Sequence, residues 1–212
     1  MFFSCNVSFA SLPVFLPIII SELGAFSSVQ SNGLSAPPYL VCFFVLVLTA
    51  WVSDKIKMRG LCVAIFGLVA AIGFVILASA STVAVRYFAM FLCINIFVCV
   101  AIILAWVANN SATDSKRAGG FAVLQIIGQC GPVLGTRIFP SNEGPFYRKG
   151  MLICSGFCFF VVVLSSTLSF LLWRENRKRD ELHGRGSGVN AFDESVDAGS
   201  LGEKAPNFRY VI

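Results

Sequence analysis

Acidic residues are nearly missing from the first 173 positions of this 212-residue chain. Up to Trp173 there are only Glu22, Asp54, Asp114 and Glu143, and each falls in a gap between apolar stretches. Charged residues of both signs make up 13% of the chain. Soluble domains carry about 25%, so an ordinary soluble fold is excluded. Histidine is almost absent as well: the single one, His183, lies beyond the last apolar stretch. Without a nucleophile–base pair, a phosphate-cradling loop or a metal-spaced cluster, the sequence reads as no enzyme, with no cofactor and no metal site. Cysteine is present but uninformative. Cys5, Cys42, Cys62, Cys93, Cys99, Cys130, Cys154 and Cys158 all sit inside apolar stretches without paired spacing. They are read as small apolar-phase residues, neither disulfides nor ligands. The net charge of +5 is scattered over stretch ends, which argues against nucleic acid as a partner.

What is abundant is apolar length. Hydrophobic residues reach 57% and phenylalanine alone contributes 21 positions. Six stretches, Phe2–Ile20, Leu34–Val52, Leu61–Ala80, Val83–Ala108, Gly119–Ile138 and Gly150–Trp173, are free of acids and histidine. Crossing a bilayer takes about 20 apolar residues, and a charge at mid-depth is costly. The pattern predicts an all-α membrane protein, a six-transmembrane-helix bundle whose surroundings are the lipid bilayer. The first stretch lacks a basic leader and a small-x-small cleavage site, so it reads as a first helix, not a removable signal. Only Ser81 and Thr82 separate the third and fourth stretches, which predicts a tight hairpin. Pro13 and Pro17 fall inside the first stretch and predict a kinked or broken helix there. Pro37 and Pro38 fall near the start of the second, where proline is tolerated.

Beyond Trp173 the composition changes. Arg174–Arg179 is a basic cluster, and Gly184–Glu203 is rich in Gly, Ser, Asp and Glu. Such a segment buries too little apolar surface to fold alone. The expected organisation is therefore a membrane domain over 1–174 and a disordered cytoplasmic tail over 175–212, its closing Phe208–Ile212 either docking weakly or staying free. Lysine and arginine orient the bundle. Lys55, Lys57, Arg59, Lys116, Arg117, Arg174, Arg177, Lys178 and Arg179 fall on one side, against Arg86, Arg137, Arg148 and Lys149 on the other, nine to four. The first side is expected to be cytoplasmic, with both termini on it.

Several polar residues inside or beside the stretches admit two readings each. Gln125 and Gln129, four residues apart and beside Thr136, either face an aqueous path or glue helices together. Asn95, Cys99 and Trp106 form a polar–aromatic stripe that suits a planar solute, or are a packed asparagine and an interfacial tryptophan. Asn6, aligned with Pro13 and Pro17, either lines a site at a broken helix or frays near the terminus. Gly128, Gly131 and Gly135 share a face that lets helices approach closely. Arg86 and Arg137, near the outer ends, attract anions into a mouth or snorkel to the interface. The gap Asp54-Lys55-Ile56-Lys57-Met58-Arg59-Gly60 is a conformational latch, with its acid pairing a nearby arginine or the positive end of a neighbouring helix, or else an ordinary charged turn.

That gap resembles the loop after the second helix of each half of major facilitator superfamily transporters, G-x-x-x-D-[RK]-x-G-[RK]-[RK]. Asp54 and Lys55 match the acid–base pair, while Ala50 and Lys57 replace the two glycines. Leu16–Ile19, Ser35–Tyr39, Trp106–Asn110, Gly128–Arg137 and Asn207–Ile212 occur in the order seen in fungal allantoate/nicotinate-type permeases of the anion:cation symporter group. The resemblance covers that family's helices seven to twelve. It implies a six-helix bundle equivalent to one half of a major facilitator fold. It also implies plasma-membrane transport of a small organic anion or a vitamin- or ureide-like solute by alternating access, completed by a second transporter half or a homodimer. Any proton-coupling acid would then lie outside this chain, since no stretch holds one. A truncated product without transport, or a membrane sensor acting through the tail, are the alternatives.

Overall fold

The computed structural model describes residues 1–24, 27–140, 144, 146–183 and 208–212. Among the described residues, eight helices make up six crossings: α1 (Phe2–Gly24), α2 (Ser28–Ile56), α3 (Arg59–Ser79), α4 (Val83–Cys93), α5 (Ile96–Asn109), α6 (Asp114–Gly128), α7 (Cys130–Gly135) and α8 (Arg148–His183). Six spans are long and apolar enough to cross a membrane, with α4–α5 and α6–α7 each forming one of them. The expected all-α, six-span membrane bundle is therefore the observed fold.

Its interior is largely apolar, built on Leu16, Val63, Phe74, Met90, Ile96 and Ile102. The helix α3 lies at the centre, packed along α8, α4 and α5. Close approach there depends on small residues: a Cβ on Gly73 would stand 2.7 Å from the Cys93 backbone nitrogen. The helix ends follow ordinary chemistry. Ser27 and Gln30 form a reciprocal capping box at the start of α2. Thr113 accepts from the Lys116 N–H at the start of α6.

Four features differ from the sequence-based expectations. First, of the kink or break expected at Pro13 and Pro17, the break is absent: α1 stays one continuous helix through both prolines. Second, α2 begins well before Leu34, which places Pro37 and Pro38 inside the helix. Proline at position i leaves the carbonyl of i−4 without its helical donor. For Pro38 that carbonyl belongs to Leu34, and the Tyr87 hydroxyl from α4 donates to it at 3.0 Å.

Third, the fourth and fifth spans are each interrupted. At Ile94–Asn95 the Asn95 side-chain amide donates to the carbonyls of Phe91 (2.7 Å) and Leu92 (3.1 Å). A side chain that satisfies backbone carbonyls in this way competes with the helix ladder. The second interruption is at Gln129, just before Pro132. Fourth, α8 runs for 36 residues, about 54 Å at 1.5 Å per residue, well beyond the ~30 Å of a hydrocarbon core. Arg174–Arg179 therefore lie on a projecting helix, not in a disordered tail. Of the expected tail, residues 184–207 lie outside the described residues, whereas Phe208–Ile212 pack back onto the bundle.

Candidate functional site

The seam between α1 and α6–α7 combines close backbone approach with interhelical hydrogen bonds, and the sequence explains why. Gly128, Gly131 and Gly135 face α1. A Cβ on Gly128 would collide with the Phe2 ring, one on Gly131 would lie 2.7 Å from the Phe3 carbonyl oxygen, and one on Gly135 would collide with that of Val7. Pro132, four residues after Gly128, has no N–H to give the Gly128 carbonyl. The Asn6 amide donates to that carbonyl from α1 at 3.1 Å. One turn further, the Ser11 hydroxyl reaches the Gly135 carbonyl at 3.1 Å. Asn6 is 4% exposed, so it is a helix-to-helix bond, not part of an open path beside a broken α1.

This gives a coupled expectation. Asn6→Leu removes the donor of a buried carbonyl and costs about 1–3 kcal/mol. In a Pro132→Ala background the substituted residue carries an N–H that can supply the bond, so the same Asn6 substitution costs about half as much or less. A double-mutant cycle on thermal unfolding in detergent checks this.

The polar stripe of the fourth span is likewise turned inward. Asn95 bonds to its own helix, as above, and the Cys99 thiol reaches the Val63 carbonyl at 3.6 Å. Trp106 is buried, and its indole N–H donates to the Val211 carbonyl at 2.7 Å. None of these polar groups is left open to a solute.

Gln125 and Gln129 are placed differently. Both are exposed, and their amides bond to one another at 3.2 Å. On the helical wheel they align with exposed Ala118, Ala122 and Thr136. The fifth span thus has three faces. One carries the glycines against α1, one carries exposed Val123, Ile126 and Ile127, and one is small and polar around the two glutamines. Asn6, Asn95, Trp106 and the glutamine pair therefore do not converge on one site.

At the face that carries the basic loops, Asp54 and Arg59 form an ion pair. Arg59 is 9% exposed and Asp54 63%, so the arginine is the buried partner. Asn109, its amide oxygen turned toward α3, accepts from Arg59 Nε at 2.9 Å and Nη2 at 2.8 Å. Lys55 lies over the Trp51 ring at 3.9 Å, and Lys57 takes a left-handed backbone (φ 58°) that turns the chain into α3. At the opposite face, Arg86 is fully buried, donates to the Phe146 carbonyl at 3.5 Å and stacks on its ring. It is a packed residue, not a residue of an open mouth. Arg137 is exposed, in the turn after α7.

Sequence reasoning missed the residues that receive Phe208–Ile212. Asn110 exchanges two hydrogen bonds with the Val211 backbone, at 3.0 and 2.8 Å, and Asn176 exchanges two with Tyr210, at 2.8 and 2.9 Å. Arg209 pairs with Asp180 at 2.7 Å, Arg179 lies over the Tyr210 ring at 4.9 Å, and the Gly60 N–H donates to Ile212 at 3.2 Å. The available signal was two motifs, Trp106–Asn110 and Asn207–Ile212, which nothing in the sequence connects.

Among known proteins, the chain is 30% identical over 211 residues to the high-affinity nicotinic acid transporter of Saccharomyces cerevisiae, covering 99% of this chain and 39% of that one. It is 30% identical over 209 residues to the MFS-type transporter cnsO of Penicillium expansum, 95% of this chain and 40% of that one. The major facilitator-type transporter hxnP of Emericella nidulans is 30% identical over 217 residues, 99% and 43% of the two chains. The chain spans about two-fifths of the length of these relatives. No family model and no solved structure matches. With six apolar crossings and these relatives along nearly all its length, the chain belongs to the major facilitator superfamily and corresponds to one six-helix half of that fold.

Proposed function

We propose that this bundle forms one side of a solute path for a small organic anion or a vitamin- or ureide-like solute, moved by alternating access and completed by a second six-helix unit. That unit is either another transporter half or a second copy of this chain. The relatives are named as transporters, one of them for nicotinic acid, which supports a planar carboxylate as the first solute to try. The nine-to-four bias of lysine and arginine supports a cytoplasmic placement for the Asp54–Arg59 face and both termini; the plasma membrane is the location that the family resemblance implies.

The observation that carries the proposal is the exposed Gln125–Gln129 pair. Gln125 lies 11 residues beyond Asp114 in a span of 22, which is mid-depth in a bilayer. An amide facing hydrocarbon costs on the order of several kcal/mol. The pair bonds to no other helix of this chain among the described residues, so its natural surroundings are water, solute or a partner helix. The neighbouring face with Val123, Ile126 and Ile127 suits lipid. Labelled nicotinate uptake into cells making this chain with a complementary six-helix unit tests the reading. Gln125→Leu with Gln129→Leu is expected to lower uptake at least about tenfold while leaving the amount of folded protein unchanged, since neither side chain packs inside the bundle. Unchanged uptake in the double variant would remove the glutamines from the path.

A further inference from the structure

We infer that the ends of α3, α5 and α8 form a built receptor for an extended peptide, and that its resident ligand is the chain's own Phe208–Ile212. Four observations carry this. Recognition is backbone-directed: Asn110 and Asn176 each read one residue by a matched donor and acceptor, on Val211 and Tyr210 respectively. Trp106 adds a bond to the Val211 carbonyl at 2.7 Å from a buried indole. Side-chain selectivity is present as well, because Arg209 pairs with Asp180 while Arg179 stacks on Tyr210 and bonds its hydroxyl at 3.4 Å. Finally, Phe208, Arg209 and Val211 are all buried in place, at 5, 8 and 4% exposure.

This differs from a surface tail that merely rests on the bundle. Asparagines presenting both an acceptor and a donor to one residue's backbone imitate strand pairing, the device by which extended peptides are generally held. The receptor residues come from three separate helices, and the Gly60 N–H of α3 reaches Ile212. Occupancy therefore ties together helix ends that no loop connects directly. Arg59, beside Gly60, is held by Asp54 and Asn109, the residue next to Asn110. The peptide site and the charged turn thus share adjacent residues on both α3 and α5. The ligand class is an extended segment with aromatic, arginine, aromatic and two branched apolar residues in sequence.

The test uses the full chain in lipid nanodiscs with Trp51→Phe and Trp173→Phe, which leaves Trp106 as the sole tryptophan. With Phe208–Ile212 seated, Trp106 fluorescence is expected to be blue-shifted and shielded from iodide. Asn110→Ala with Asn176→Ala, which leaves the segment in the chain, is expected to shift the emission to the red and raise the iodide quenching constant several-fold. In a second arm, residues 208–212 are removed and the free peptide Phe-Arg-Tyr-Val-Ile is added. Saturable recovery of the blue-shifted emission is expected, weakened about tenfold for each asparagine replaced by alanine. A scrambled peptide of the same composition is expected to give no recovery. Shielding of Trp106 that persists in the Asn110→Ala, Asn176→Ala chain, or equal recovery with the scrambled peptide, would overturn the inference.

Discussion

Gly131→Val is expected to lower the stability of the bundle by about 3 kcal/mol or more, towards the upper end of what overpacking costs. The size follows from what the new side chain would meet. A Cβ at this position stands 2.7 Å from the Phe3 carbonyl oxygen, 3.0 Å from the Asn6 Cβ and 3.1 Å from the Val7 nitrogen. Two of these neighbours are backbone atoms of α1, which cannot swing aside as a side chain can. Relief requires α1 and α7 to separate, and separation breaks the Asn6 bond to Gly128 and the Ser11 bond to Gly135 at once. Gly119→Val is the matched control. Gly119 lies on the same span, is exposed, and has nothing within 4 Å of its would-be Cβ. Its substitution is expected to change stability by about 0.5 kcal/mol or less. Thermal unfolding of the purified chain in detergent, followed by circular dichroism, separates the two. Similar midpoints for both variants would mean that the α1–α7 seam is not closely packed.

The second large effect concerns the charged turn. Arg59→Leu is expected to cost about 2–3 kcal/mol, whereas Asp54→Asn is expected to cost about 0.5 kcal/mol or less. The asymmetry arises because the two partners of one ion pair live in different surroundings. Asp54 is mostly exposed, so water replaces the arginine readily. Arg59 is nearly buried and makes two further bonds to Asn109. Removing the arginine leaves Asn109 without those donors, while removing the carboxylate leaves the arginine still held by Asn109. Equal losses in the two variants, measured by the same unfolding assay, would show that the pair and not the Asn109 contact sustains the turn.

The parts of this structure that were legible in the sequence are those set by length and charge. Six crossings follow from six apolar stretches, and the meeting of Asp54 with Arg59 follows from a short loop. What was not legible depends on which carbonyl lacks its helical donor. Asn6, Tyr87 and Ser11 appear in the sequence as isolated polar residues, because their partners lie on other helices. The interruption at Asn95 was hidden for a related reason: it comes from a side chain turning back on its own helix, which leaves the apolar pattern unbroken. The basic cluster after Trp173 reads as a tail on composition, yet its charges are at a spacing that a helix tolerates, with Arg179 bonding Glu175 one turn away at 3.3 Å. Gln125 and Gln129 were found by their spacing, and their outward placement depends on where the glycines dock.

The prolines give this bundle a set of interhelical coordinates. A purely apolar interface between helices can slide by a fraction of a turn with little change in contact area. A carbonyl stripped of its own donor cannot be satisfied that way, because only a donor at the matching height on the neighbour will serve. Pro132 fixes the height of α6 against α1 through Gly128 and Asn6, and Pro38 fixes α2 against α4 through Leu34 and Tyr87. Moving either proline by one residue would strand a carbonyl on a different side of its helix, about 100° away, facing something other than its present partner. Vertical registry in this membrane domain is thus written into the positions of its imino acids.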